Sequence, residues 1–377
     1  MIGARDSLIA FWWVRLAMVI LLLHPAHTLA APQFRGVCYV TWGTPNVLLT
    51  KESDDQIRRL HALGVNCIAF RVTWLQESFD SVDLHPGFAT PSDDSVRHVV
   101  HLCHSLGMKA MVALLVDFAD HTKGGSYRWR GQIAPAAAEG GGADEAWKQW
   151  FDSYEKFALH YAKLCEESGA DVFSFGAEMT NATTQFDQPW RELIRKVRDI
   201  YRGTLTYQAN WSPLQYAFGG GGAASLVKQN QWNAEYKTVK FWDALDCAAL
   251  SSYFSLTDKR NPGLEELAAN WQVWLEDLRA WQREIKKPVL FSEVGYQSAD
   301  RGAIEPWRTP LSTLPNPDLQ ARCYEAFLKT FYEESWVKGI CWWMACPPKE
   351  WGVDKHGGGY PFLGKPAEEV VRRWFGK

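Results

Sequence analysis

The sequence lacks the surplus of positive charge that a nucleic-acid-binding protein carries. Its 40 Lys and Arg residues are outnumbered by 43 Asp and Glu residues, which gives a formal net charge of −3 at pH 7. A protein without a basic field does not concentrate nucleic acid or anionic membrane at its surface. We therefore expect a neutral partner, no nucleic acid, and no stable membrane association of the mature protein.

The usual patterns of metal and phosphate sites are missing as well. No His-x-His follows any apolar run, and the Cys and His residues do not have the paired spacing of a zinc site. The glycine-rich stretches 140–142 and 219–222 lack the Lys-Ser or Lys-Thr ending of a phosphate loop. The sequence thus predicts neither a metal nor a cofactor. Most of the 8 cysteines are expected to be free and buried, because several fall inside apolar runs.

A membrane-spanning stretch is the third absence. The N-terminal apolar run Leu16–Leu23 has 8 residues, against the roughly 18–20 that a spanning helix needs. Arg5 and Arg15 precede this run, and small residues around Ala30 offer a cleavage position. We predict a secretory signal peptide over residues 1–30, one folded domain over residues 31–377, and a secreted or periplasmic protein. An uncleaved N-terminal anchor is the alternative.

Aromatic residues and short apolar runs are what the chain has in quantity. It contains 20 Trp, 13 Tyr and 19 Phe, and aromatic faces suit both core packing and the apolar C–H faces of pyranose rings. Eight apolar runs recur with longer segments between them, which is the pattern of repeated βα units around a parallel sheet. In chain order, these runs are Phe34–Val40, Val65–Val72, Lys109–Val116, Asp171–Ala177, Thr204–Ala209, Ala244–Ser251, Pro288–Ser292 and Val337–Trp343.

Helical periodicity fills the longest segments between these runs. Thr50 and Ser92 stand at N-cap positions, and Gly64 and Gly107 stand where a left-handed residue ends a helix. Eight strands with helices between most of them and after the last predict an α/β fold, and specifically a single (β/α)8 TIM barrel. The predicted helices are Lys51–Leu63, Ser95–Leu106, Asp144–Ser168, Pro189–Tyr201, Leu264–Lys286, Asp318–Glu334 and Lys365–Phe375.

Two of the predicted strands end in a glutamate: the fourth in Glu178 and the seventh in Glu293. Functional groups of a (β/α)8 barrel come from the C-terminal strand ends, so these carboxyl groups are expected across the barrel mouth from each other. Cleavage of a glycosidic bond needs such a pair, one to protonate the leaving oxygen and one to attack or to activate water. A separation of about 5–5.5 Å indicates retention and about 6.5–9.5 Å inversion, which the sequence leaves open. An ion pair with a helix Lys or Arg is the structural alternative for each.

Three segments resemble glycoside hydrolase family 113: Gly176-Ala177-Glu178, Phe291–Tyr296 and Tyr360–Ala367. The resemblance covers nearly all of the mature chain. It implies a retaining (β/α)8 enzyme of the kind best known as β-mannanases, with Glu178 as acid/base, Glu293 as nucleophile and a polysaccharide or oligosaccharide as substrate. Many relatives in the wider clan have Asn before the acid/base, where this chain has Ala177. That difference bears on the hydrogen bonding of the sugar's 2-hydroxyl group, and through it on the substrate.

Further strand ends offer supporting residues. Arg71, at the end of the second run, could keep the nucleophile ionised through a charge-assisted hydrogen bond, or pair with an unrelated acid. Tyr253 after the sixth strand and Tyr296 after Glu293 could orient the nucleophile through a phenol hydrogen bond, or pack in the core.

Several aromatic residues are predicted to line sugar subsites, with core packing as the alternative for each. Strand alternation allows only one of Trp342 and Trp343 to face the barrel lumen. We predict that Trp342 is the one that floors the subsite of the scissile sugar. Residues assigned to more distant subsites are Trp42, Trp74, Asn210, Trp211 and Trp232. Arg130 and Asp117 lie in a long loop region after the third strand that is expected to wall the cleft.

Three other interpretations remain open at this point. A transglycosylase or an exo-acting β-glycosidase would use the same two glutamates. A carbohydrate-binding barrel without turnover would keep the groove but has no use for a matched acid and nucleophile. A metal-dependent barrel hydrolase lacks its ligand pattern. A monomeric β-mannanase-like enzyme is the leading hypothesis.

Overall fold

The computed structural model describes residues 31–43, 46–136, 141–212, 234–308, 314–348 and 357–376. The predicted signal peptide and Trp232 lie outside these residues. No helix in the described part of the chain is both long and apolar enough to cross a membrane.

Eight parallel strands close into a barrel, as predicted. Each barrel strand pairs with the next barrel strand along the chain, and the first also pairs with the last, which closes the ring. A short additional strand, Leu84–Pro86, pairs antiparallel with the end of the second barrel strand. The strands are β1 (Phe34–Tyr39), β2 (Cys67–Gln76), β3 (Leu84–Pro86), β4 (Lys109–Phe118), β5 (Val172–Ala177), β6 (Thr204–Asn210), β7 (Ala248–Ser251), β8 (Val289–Val294) and β9 (Val337–Ala345).

Helices follow the barrel strands and cover the outside of the barrel. The caps act as the sequence predicts: the Thr50 and Ser92 hydroxyls accept backbone N–H groups at the starts of the helices that follow them, and Gly64 and Gly107 have positive φ angles of 87° and 72°. The described α-helices are α1 (Lys51–Ala62), α2 (Asp93–Ser105), α3 (Ala143–Ser168), α4 (Thr180–Gln185), α5 (Gln188–Ile200), α6 (Glu235–Thr238), α7 (Leu264–Ile285), α8 (Pro317–Phe331) and α9 (Pro366–Phe375).

The prediction of a strand over Ala244–Ser251 is wrong at its start. Phe241–Ala244 forms a 3₁₀ turn and β7 begins only at Ala248. Leu245 is buried in the layer outside the barrel rather than in a strand, so its hydrophobicity reflects packing. Apolar character alone does not separate these two cases.

The core has two layers. A large cluster lies between the barrel and its helices, and a smaller one contains alternate strand residues that fill the barrel interior, among them Cys38, Ala69, Met111 and Leu290. All eight cysteines are buried and free, as predicted, and they act as small apolar residues in these layers. The filled interior leaves the C-terminal mouth as the place where polar side chains gather.

Candidate active site

Glu293 lies one residue before the end of β8, at the barrel mouth, and two donors hold its carboxylate. Arg71 on β2 donates from Nη2 to Oε1 at 2.5 Å, and Tyr253, which follows β7, donates its hydroxyl to Oε2 at 2.7 Å. Arg71 also donates from Nη1 to Oε1 of Gln208 at 2.5 Å. Each carboxylate oxygen has two lone pairs, so both donors fix the group while free lone pairs remain.

Extra residues in two strands lie just before the two glutamates. Between Ser174 and Ala177, β5 has one residue more than β6, and between Phe291 and Glu293, β8 has one residue more than β7. Such bulges bend a strand and change the direction of the side chains beyond them, and they are common beside active sites. Here they set the positions at which Glu178 and Glu293 leave the barrel.

Glu178 follows β5 in a left-handed backbone conformation, with φ at 56°. This conformation costs a non-glycine residue about 1–3 kcal/mol and persists where the surroundings enforce it, often at functional sites. Two hydrogen bonds enforce it here. The Glu178 N–H donates to the carbonyl of Gln208 at 2.8 Å, and the N–H of Met179 donates to the hydroxyl of Tyr207 at 2.7 Å.

The Glu178 carboxyl group has one strong and one weaker donor. Arg130 donates from Nη1 to Oε2 at 3.0 Å, and Asn210 donates from Nδ2 to Oε1 at 3.3 Å. Burial and the negative charge of Glu293 raise the pKa of Glu178, and the Arg130 guanidinium offsets part of this rise. Glu178 therefore keeps its proton to a higher pH than an ordinary glutamic acid.

A third glutamate, which the sequence analysis did not single out, lies behind the first. Glu235 at the start of α6 is fully buried and accepts four hydrogen bonds. Its Oε1 binds Tyr207 at 2.7 Å and Thr183 at 2.8 Å, and its Oε2 binds the Asn210 N–H at 2.7 Å and Thr180 at 3.2 Å. Burial raises its pKa to about 7. Through Tyr207 and Asn210, this carboxylate supports both the backbone turn and the side chain of Glu178.

We expect Glu235→Gln to lower kcat about 10²-fold with little change in KM, because an amide nitrogen cannot accept the hydrogen bonds that one carboxylate oxygen accepts and the acid moves out of position. Initial rates measure kcat and KM, and a thermal melt measures the stability of the variant. Glu276→Gln, at a side chain 67% exposed, is the matched control. A lowered melting temperature with unchanged kcat would reduce Glu235 to a structural residue.

Trp343, not Trp342, is the aromatic residue at the site. Its ring lies 5.7 Å from the Arg71 guanidinium and 6.3 Å from the ring of Trp42, and it is partly exposed. Trp342 is fully buried and stacks on Tyr324 of α8 at 3.7 Å, so the prediction that it floors the subsite is wrong. Of the predicted outer subsite residues, Trp42 is 36% exposed beside Trp343.

Two further predicted site residues face the helices. Trp74 stacks on Phe157 of α3 at 4.7 Å, which places its ring outside the barrel. Tyr296 is fully buried near Trp271 and Cys323. The structure therefore contradicts a subsite role for Trp74 and contact of Tyr296 with the nucleophile. Both lie on the outer side of their strands, where core packing accounts for them.

Trp211, which the sequence assigned to a more distant subsite, is instead buried by packing against other aromatic residues. It is 3% exposed and packs against Phe254 at 5.6 Å and Trp307 at 4.8 Å. Asn210, predicted to reach a distant subsite, instead contacts Glu178 directly. Its Oδ1 accepts the backbone N–H of Ser212 at 2.8 Å, which fixes the amide so that Nδ2 faces the glutamate.

The barrel mouth thus holds two carboxyl groups whose surroundings differ. Glu178 has a raised pKa and can carry a proton, whereas both oxygens of Glu293 accept hydrogen bonds, one from the Arg71 guanidinium and one from Tyr253. An exposed aromatic face lies beside them. A proton donor and an ionised carboxylate beside a surface for pyranose rings are what cleavage of a glycosidic bond requires. Fold and site together define a glycoside hydrolase.

The chain belongs to glycoside hydrolase family 113, whose sequence profile matches residues 37–350. This confirms the resemblance seen in the sequence. Among curated proteins, none matches the chain. A solved family 113 β-mannanase from Alicyclobacillus acidocaldarius, in complex with ManMIm, is 29% identical, with 92% of this chain and 98% of that chain covered and a TM-score of 0.73. Two further structures of family 113 β-1,4-mannanases are 24% and 25% identical, cover 92% of this chain and 99% of theirs, and have TM-scores of 0.74 and 0.73.

Proposed function

We propose that this glycoside hydrolase is a retaining endo-β-1,4-mannanase with Glu293 as nucleophile and Glu178 as acid/base. The observation that carries the proposal is the contrast between the two carboxyl groups. Two donors hold the oxygens of Glu293, and burial beside a negative charge raises the pKa of Glu178. The solved family members named as β-1,4-mannanases support mannan as the substrate class.

In the first step, a Glu293 oxygen attacks the anomeric carbon while the bond to the leaving oxygen breaks. Glu178 gives its proton to that oxygen, so the departing sugar leaves as a neutral alcohol. Arg71 and Tyr253 hold the nucleophile in position without removing its lone pairs. Trp343 provides the apolar surface under the sugar that reacts.

In the second step, Glu178 acts as a base. It takes a proton from a water molecule, whose oxygen attacks the anomeric carbon and releases Glu293 as a carboxylate. Arg130 stabilises the ionised Glu178 that exists between the two steps. Two inversions at one carbon leave the configuration unchanged, so the product is the β-anomer.

The substrate is tested by incubating the purified protein with β-mannan, glucomannan, xylan and β-glucan. We expect new reducing ends from mannan and glucomannan, and manno-oligosaccharides of several lengths as early products. Release of mannose alone from the earliest times would show that the enzyme acts from the chain end (exo) and not within the chain (endo). Cleavage of xylan or β-glucan with mannan left intact would overturn the substrate assignment.

The pH profile reports on Glu178, because the first step needs its proton. As pH rises through the raised pKa of Glu178, kcat/KM should fall. The Arg130 charge lowers this pKa, so Arg130→Gln should move the alkaline limb of the profile to higher pH. Initial rates from pH 4 to pH 10 measure it. An alkaline limb that stays in place would assign that limb to another group.

We also propose that residues 1–30 direct export to the periplasm or the medium. Arg5, Arg15 and the apolar run Leu16–Leu23 support this, and a polymeric substrate is met outside the cell. N-terminal sequencing of the exported protein should give Ala31 as the first residue. A start at Met1 in the membrane fraction would favour the uncleaved anchor.

A further inference from the structure

A stacked pair of rings lies beside the acid/base and has no part in the chemistry described so far. The His121 and Tyr127 rings are 4.9 Å apart and parallel to within 2°, and Tyr127 is 53% exposed. Both residues belong to the segment after β4, the strand next to β5 and Glu178. An exposed aromatic ring held in one orientation is a surface suited to a sugar ring, because it loses little freedom on binding.

His121 is fixed by two acceptors. Its Nδ1 lies 2.8 Å from the carbonyl oxygen of Arg128, and its Nε2 lies 3.3 Å from Oδ1 of Asp117. Neither oxygen carries a proton to donate, so protonation of both ring nitrogens satisfies both contacts. The hydrogen bond to Asp117 correspondingly raises the pKa of His121. An imidazole ring held at both nitrogens is a rigid support for the Tyr127 ring.

A chain of charges connects this ring pair to Glu178. Asp117 lies 3.9 Å from Nη2 of Arg130, whose Nη1 donates to Glu178 at 3.0 Å. Arg130 also donates from Nε to the carbonyl of Val116 at 2.8 Å. The ring pair therefore lies on the side of the site where the proton donor acts.

The second aromatic pair lies on the other side of the site. Trp343 on β9 and Trp42 after β1 adjoin the strand that carries Glu293 and the Arg71 that binds it. The glycosidic oxygen that receives a proton from Glu178 links two sugars. One of them becomes bonded to the nucleophile, and the other departs. The departing sugar is the one on the Glu178 side.

We propose that Tyr127, supported by His121 and with Asp117 beside it, forms a binding subsite for the departing sugar of a β-linked polysaccharide. Tyr127 offers an apolar face to the pyranose, and the partly exposed Asp117 carboxylate accepts hydrogen bonds from its hydroxyl groups. The assignment rests on the proposed function, because it uses Glu178 as the acid to define the side of departure.

The same subsite would receive an acceptor sugar after the first step. An acceptor hydroxyl gives its proton to Glu178, its oxygen bonds to the anomeric carbon, and the bond from that carbon to Glu293 breaks. The product is then a longer saccharide. A sugar held against Tyr127 competes with water in this step, so the subsite sets the ratio of transfer to hydrolysis.

The test compares two substrates on Tyr127→Ala and Tyr127→Phe. Mannopentaose places sugars on both sides of the cleaved bond, whereas β-mannobiosyl fluoride has a single atom as its leaving group. Tyr127→Ala should lower kcat/KM on mannopentaose about 10-fold and leave the fluoride within about 2-fold. It should also lower the ratio of transfer to hydrolysis, with mannotriose as added acceptor, about 10-fold. Tyr127→Phe keeps the aromatic ring and should retain both the kcat/KM on mannopentaose and the ratio of transfer to hydrolysis.

Each other outcome has a distinct meaning. Loss on both substrates would place Tyr127 on the side of the bonded sugar, and no loss on either would show that it binds no sugar; both overturn the subsite. Val273→Ala, at an exposed position of α7, controls for the loss of a surface side chain. If the unchanged protein cleaves neither substrate, the proposed function fails instead, so the two failures are distinguishable.

Discussion

Replacing Glu293 by glutamine is expected to abolish turnover of mannan and of β-mannobiosyl fluoride alike, by about 10⁴-fold or more. An amide oxygen is a poor nucleophile, and no covalent intermediate can form with either leaving group. Arg71 and Tyr253 bind Glu293 directly, and Arg71 can still donate to the amide oxygen, so the local fold should survive.

The controls for this variant separate chemistry from folding. Glu276→Gln carries the same substitution at an exposed helix position and should keep full activity. The melting temperature of Glu293→Gln should fall, because the buried Arg71 guanidinium loses its counter-charge, so circular dichroism at the assay temperature checks that the variant is folded. Activity within about tenfold of the parent would remove Glu293 from the role of nucleophile.

Replacing Glu178 by alanine should have effects that depend on the leaving group. Mannan has a poor leaving group that needs a proton, so we expect its cleavage to fall about 10³-fold or more. Fluoride needs no comparable proton transfer from Glu178. β-Mannobiosyl fluoride should therefore still react with Glu293, and fluoride should appear in a burst equal to the enzyme concentration.

After that burst the variant should stall, because no base remains to activate water. Azide is an anion that needs no base, so adding it should restore turnover and yield a β-mannobiosyl azide. Stopped-flow fluoride detection and mass spectrometry measure these outcomes. Equal loss on both substrates without rescue by azide would show that Glu178 is not the acid/base.

Much of the fold could be predicted because several signals agree. Continuously apolar runs mark strands covered on both sides, and the caps at Thr50, Ser92, Gly64 and Gly107 mark helix ends by local chemistry alone. The limit appears at residues 244–247, where an apolar stretch belongs to a turn. Runs of this length look the same in a strand and in a packed turn.

The glutamates were predictable because a carboxyl group at the end of an apolar strand is costly unless it has a purpose. Their partners were predictable only in part. Arg71 and Tyr253 lie at or just after the ends of predicted apolar runs, where polar residues of a barrel mouth are expected. Glu235 could not be found in this way, because it starts a one-turn helix far along the chain and supports Glu178 through intervening residues such as Tyr207 and Asn210.

The aromatic residues were the hardest to assign, since a tryptophan on either face of a strand looks the same in sequence. The choice between Trp342 and Trp343 depends on which residue faces inward, and an extra residue in β9 relative to β1 shifts the register near that point. The same ambiguity applies to Trp74 and Tyr296, whose side chains pack outside the barrel. Ala177, the residue before Glu178, is buried, and the amide that contacts Glu178 comes from Asn210.

The central claim is that Glu178 and Glu293 act in two successive displacements at one carbon. Its most direct test is ¹H NMR of the anomeric protons during the first minutes of mannopentaose hydrolysis, before mutarotation mixes the anomers. The account predicts that the new reducing ends appear first as the β-anomer and convert slowly to the α-anomer. Appearance of the α-anomer first would mean inversion, and Glu293 would then activate water rather than bond to the sugar.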